Sequence, residues 1–152
     1  MNPLKFWLFF HLISVVIWVG GMFFAYMALR PAAVEVLEPP ARLSLWVAAF
    51  RRFFPWVWGA VILILLSGFI MIGLMGGMGH VPLHVHIMLS VGLAMLAIFA
   101  HVFFAPYQRL RRAVAVQDWS VGGKALAQIR MLIGINLSLG LLNVAIAILG
   151  AL

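Results

Sequence analysis

The chain has 152 residues, of which 66% are hydrophobic and only 9% charged; a soluble domain carries about 25% charged residues, so no polar shell can be built and lipid must cover the surface. The formal charge is +7, yet nine of the ten lysines and arginines fall in two short segments between apolar runs, a membrane-topology pattern that excludes a nucleic-acid groove. Cysteine is absent, which excludes disulfides, thiolate metal sites and thiol catalysis.

Four apolar runs exceed the roughly 18 residues needed to cross a bilayer. They occupy about 4–29, 55–74, 83–104 and 129–149. The first is longer than the roughly 7–15-residue core of a signal peptide and reads as a true span. It carries His11 and Trp18. The first loop holds Arg30, Arg42, Arg51 and Arg52. Within it, Leu43, Trp46, Phe50 and Phe53 follow helical spacing, which predicts a short interfacial helix. Pro55 stands where the first turn of helix two is expected, a position that tolerates its missing N–H. Gly76, Gly77 and Gly79 break the chain after that helix, and Pro82 opens the third. The segment Met75–Pro82 has no lysine or arginine, whereas the third loop has Arg109, Arg111, Arg112 and Lys124, with Arg130 at its edge. Asn136, Gly140 and Asn143 in the fourth run share one face at i, i+4 and i+7, suited to close helix packing and interhelical hydrogen bonds.

These signals predict an all-α fold: a single-domain, integral membrane, up-down four-helix bundle spanning 1–152, with the interfacial helix in its first loop. The positive-inside rule places both arginine-bearing loops in the cytoplasm and both termini in the periplasm, across a bacterial inner membrane. Only Lys5 dissents.

Few residues could carry chemistry. Glu35, Glu38 and Asp118 all lie in loops, so no carboxylate relay crosses the bilayer. Ser14, Ser67, Ser90 and Ser138 lack a general-base pattern, which disfavours a serine hydrolase. The five histidines stand out, because ionisable groups within spans mark functional sites by default. His11 lies roughly 10 Å below the outer surface at about 1.5 Å per residue. His84 and His86 open helix three at the same end, so three imidazoles can converge in the outer half. His101 sits roughly 22 Å deeper, toward the cytoplasm. His84 and His86 are about 200° apart on a regular helix, while His86 and His101 are about 60° apart. A continuous inward face then selects His86 over His84 as the inward ligand. Met71, Met75, Met78 and His80 add thioethers and an imidazole at the outer end. These suit Cu(I), though methionine also serves as a flexible apolar filler. Trp18 is too deep for an interface belt and is expected near the site.

The chain resembles the CopD-like membrane proteins and, more distantly, the HemJ-type protoporphyrinogen oxidases. The resemblance rests on His11, Trp18, Gly20 and Gly21 (H-x6-W-x-G-G), on Leu83, His84 and His86 opening helix three, and on His101 followed by Arg109, Arg111 and Arg112. The CopD resemblance implies copper uptake across the inner membrane. The HemJ resemblance implies haem b and an oxidase, with a helix-one histidine that matches His11 and a functional lysine where this chain has His86. Two metal readings therefore compete. In the favoured one, His11 and a helix-three histidine ligate haem b in an electron-transfer or oxidase module, with a quinone or another redox protein as partner. In the alternative, His11, His80, His84, His86, Met75 and Met78 handle copper. A third reading is a structural or assembly protein. Besides lipid, a second copy of the chain is an expected partner.

Overall fold

The computed structural model describes all 152 residues. It contains no strand, and four of its helical stretches are long and apolar enough to cross a membrane. Helix α1, Pro3–Phe24, starts at Asn2, whose side chain accepts the N–H of Leu4 at 2.9 Å. It passes through a π-helical turn, Ala25–Leu29, into α2, Arg30–Val36. Pro31 accounts for that turn. Its ring cannot donate and would collide with a carbonyl one turn back. The ladder therefore slips, and the Arg30 N–H bonds to Ala25 O. The Tyr26 carbonyl, left without a backbone donor, accepts from Arg30 Nε at 3.2 Å.

Helix α3 runs unbroken from Pro39 to Leu74, 36 residues. The separate interfacial helix expected in the first loop is therefore absent; its residues form the first turns of α3. Pro55 lies inside the helix rather than at its start. An interior proline removes a backbone bond, at about 3 kcal/mol. The helix continues because Leu43, Trp46, Phe50, Phe54, Val57 and Val61 form one uninterrupted buried stripe across it. Breaking the helix at Pro55 would split that stripe.

Helix α4, Leu83–Phe104, ends where Ala105 leaves helical geometry, and Pro106 opens α5, Pro106–Ala115. This is where the short amphipathic helix sits: Tyr107, Leu110 and Ala113 are buried, and Arg109, Arg111 and Arg112 are exposed. Helix α6, Trp119–Leu149, begins ten residues before the expected 129, capped by Asp118 accepting from Val121 N at 3.2 Å.

Around the bundle, α1 packs mainly on α3 and also touches α6, while α4 and α5 pack on α6. Aromatic rings close the circle between α3, α4 and α5. Phe50 stacks on Phe54 at 4.8 Å, and Phe54 meets Phe99 at 5.4 Å and Tyr107 at 4.8 Å. Close approach of α1 to α3 depends on Gly21, since any side chain there would enter the Phe53 ring. The expected polar face of α6 is an interhelical seam. Asn136 Nδ2 donates to Met95 O and Asn143 Nδ2 to Met88 O, both at 3.1 Å, and Gly140 sits against Val19 and Met95.

Candidate metal centre at the histidine end

The start of α1, the end of α3, the start of α4 and the end of α6 meet at one end of the bundle. His11 is the best-defined polar group there. Its Nδ1 lies 3.1 Å from Ile64 O and 2.9 Å from Ser67 Oγ, both on α3. A carbonyl oxygen only accepts, so Nδ1 must carry the proton. Ser67 Oγ is fully buried and donates its own hydrogen to Leu63 O at 2.6 Å, which leaves its lone pairs for the imidazole. Nε2 is then the unprotonated nitrogen. A histidine fixed in this way, with one nitrogen donating to backbone and the other bearing a free lone pair, is a pre-oriented metal ligand. The imidazole packs over Gly68 of α3, where an added Cβ would meet His11 Cε1 at 3.5 Å, an ordinary contact distance.

The helix-three histidines face differently from expectation. The side of α4 that packs inward runs through His84, Met88, Val91, Met95, Phe99 and Val102, of which Met95, Phe99 and Val102 are fully buried. His84 lies so close to Gly150, just past the end of α6, that a methyl added to Gly150 would strike the His84 Cβ. His86 and His101 do share a face, but it is the outward one: His101, Ser90, Leu93, Ala97 and Phe104 on that side are exposed, and His86 is half-buried. His84 and His86 are both half-buried, and of the two it is His84 that stands against the end of α6. The shared face of His86 and His101 is as expected, but α6 covers the opposite side of α4. His101 lies at the arginine end, away from the other four histidines.

The connection between α3 and α4 presents the thioethers. Helix α3 ends in a Schellman turn: Gly77 N donates to Ile72 O at 2.9 Å and Gly76 N to Gly73 O at 3.1 Å. Gly76 takes φ 101°, which L side chains rarely adopt. The turn leaves Met75, Met78 and His80 exposed, with Met71 half-buried. His80 packs over Gly76. Nowhere in the chain do three or more His, Asp or Glu side chains come together as a metal-holding group.

Trp18 is 4% exposed and belongs to the apolar core, where it meets Phe99 edge-on at 6.3 Å. The cavity it lines is only about 20 Å³, enough for one water, and a second cavity of about 290 Å³ is walled without any histidine. Neither of these cavities reaches His11, so neither offers a haem pocket beside that imidazole. Ser67 and the Ile64 carbonyl, which fix the His11 tautomer, had no signal in the sequence, because the register of α1 on α3 is not written in either segment alone.

A family model described as copper resistance protein D, CopD, matches residues 47–149. The chain belongs to the CopD family. It is a copper-resistance-related, multi-pass membrane protein. The match takes in most of α3 and all of α4 and α5, and it reaches the end of α6; His11 and the rest of α1 lie before it. No curated protein and no solved structure matches the chain.

Proposed function

We propose that this CopD protein takes up Cu(I) as cargo at its histidine end, with His11 Nε2 as the fixed ligand inside the bundle. The observation that carries the reading is the His11 tautomer, held by Ile64 O and Ser67 Oγ. Met75, Met78 and His80 collect the ion at the surface. Thioether and imidazole donors suit soft Cu(I), which accepts few ligands. His84, on the inward side of α4, is the helix-three partner, and His86 stands beside it on the outer side. Family membership favours copper over haem b, and neither main cavity touches a histidine.

The same reading sets the histidine end and both termini on the periplasmic side of an inner membrane, because the arginines cluster at the other end. Reporter fusions after Leu152 and within Arg109–Lys124 are expected to report opposite sides, and a cytoplasmic C-terminus would overturn this orientation.

The copper test is anaerobic titration of purified protein against a chromophoric Cu(I) chelator. Wild type is expected to bind Cu(I), His11→Ala to weaken binding by about 100-fold or more, and His101→Ala to leave it unchanged. Equal affinities for wild type and His11→Ala would sink the reading. A Soret band from haem-replete cells that His11→Ala removes would replace it with the haem reading.

A further inference from the structure

The arginine end holds a cavity of about 290 Å³ between the α1–α2 junction, the start of α3 and the first half of α6. Three of its lining residues are arginines, Arg30, Arg42 and Arg130, and none is acidic. Eleven of the sixteen are hydrophobic, among them Trp46 and Phe50, which belong to the buried core. A cavity with three guanidinium groups, no internal counter-charge and an apolar wall is matched by an amphiphilic anion. A small inorganic anion would leave the wall wetted. A neutral tail would leave three cations uncompensated.

Arg30 is held in place for this task. The π turn imposed by Pro31 strands the Tyr26 carbonyl, and Arg30 Nε caps it at 3.2 Å. The guanidinium lies 4.5 Å from the centre of the Tyr26 ring. With Nε committed and the plane stacked, the two terminal nitrogens remain for a ligand, in the planar fork that matches phosphate. Tyr26 is itself backed by Gly134 of α6, where a Cβ would come within 3.0 Å of the ring. Single π-helical turns within α-helices often mark functional sites, and here the turn sets the angle of one arginine.

We propose that this cavity binds the headgroup phosphate of an acidic glycerophospholipid from the leaflet at the arginine end. Arg30 and Arg42 hold the phosphate, Arg130 closes over it, and an acyl chain lies along Trp46 and Phe50. Basic pockets between membrane helices are established sites for acidic lipids. The proposal does not depend on copper or on which side of the membrane this end faces.

The test is native mass spectrometry of the full chain from mixed micelles containing equal phosphatidylglycerol and phosphatidylcholine. Each arginine near a headgroup is worth about fivefold, the equivalent of about 1 kcal/mol. Wild type should retain phosphatidylglycerol over phosphatidylcholine by about tenfold or more. The double variant Arg30→Gln/Arg42→Gln should fall to near parity while still carrying phosphatidylcholine, which shows that it remains folded. Arg111→Gln/Arg112→Gln, on the exposed side of α5, should keep the preference within about twofold. The proposal is overturned if wild type shows no preference, or if the α5 variant loses it equally, since charge anywhere on that end would then suffice. Displacement of the retained lipid by millimolar inorganic phosphate would also overturn it, by making this a free-anion site.

Discussion

The arginine end and the histidine end of this bundle use their buried positions differently. From the arginine end to mid-bundle, seventeen buried apolar residues join into one core, with Trp46, Phe50, Phe54, Phe99 and Tyr107 at its centre. At the level of His11 the buried positions include Ser14 and Ser67, which make hydrogen bonds, while the nearby rings of Phe6, Trp7, Phe9 and Phe10 meet one another along α1 and are not buried in the core. Packing stability should therefore reside at one end and ligand chemistry at the other. In a membrane this division has a physical basis. Lipid is as apolar as leucine, so helices are held by tight packing and interhelical hydrogen bonds, not by escape from water. Close-packed aromatics hold one end together. The other can keep a nitrogen lone pair uncommitted.

The sharpest way to break this comparison is Phe54→Ala. Phe54 is 3% exposed and touches rings from α3, α4 and α5. Removing a buried phenyl costs about 3–5 kcal/mol. The unfolding midpoint in detergent should fall accordingly, while the Cu(I) affinity of the folded fraction stays within about twofold of wild type. If affinity falls with stability, the two ends are one cooperative unit and the division is wrong. Gly21→Val comes next. Its side chain would enter the space of the Phe53 ring and push α1 from α3, at about 1–3 kcal/mol for overpacking. The same melting measurement checks it, and an unchanged midpoint would mean that the ring swings away freely.

Ser67→Ala sharpens the comparison from the other side. It removes one of the two acceptors that fix His11 Nδ1–H and leaves Ile64 O. Loss of a group that orients a ligand typically weakens metal binding by about 10–100-fold; with Ile64 O remaining, about tenfold is expected. Chelator competition reads it directly. An affinity equal to wild type would show that the backbone carbonyl alone sets the tautomer.

How much of this was legible follows from what each residue answers to. His11, the four spans and the Asn136–Gly140–Asn143 seam could be read because polarity inside an apolar run has one explanation in lipid. The facing of His84 and His86 could not. Both sides of α4 are apolar, one toward lipid and one toward α6, so hydropathy does not distinguish them; only the contact with Gly150 does. Pro55 and the first loop were misread for a related reason. Proline marks a helix start in water, but the buried stripe from Leu43 to Val61 carries α3 through it. α5 and the early start of α6 went unpredicted, because the apolar-run criterion passes over a segment as rich in arginine as 106–128 even though Tyr107, Leu110 and Ala113 repeat at helical spacing within it. The cavity at Arg30 depends on a π turn that Pro31 makes intelligible only once the Ala25 bond is seen.

The smallest expected effect tests the seam between the two regions. Asn136 is 3% exposed; its Nδ2 donates to Met95 O at 3.1 Å, while its Oδ1 is buried without a partner. Replacing it by leucine removes both features. The lost donation is worth about 0.6 kcal/mol, the average for hydrogen bonds between membrane helices. Against this, removal of the unpaired acceptor relieves a buried polar group, whose desolvation costs about 1–3 kcal/mol when unmet. Leucine shares asparagine's branched outline but is larger, so it adds apolar contact with Trp18 and Phe99 across the cavity of about 20 Å³ at some cost in overpacking. The terms nearly cancel, so Asn136→Leu should shift stability by less than about 1 kcal/mol in either direction, read from the same unfolding curves as Phe54→Ala. A loss above about 2 kcal/mol would mean that Oδ1 is satisfied after all, by a water in that cavity bridging it to the core. The seam would then be a polar joint inside the packed half, and the boundary between the two regions would move from Ser67 toward Phe99.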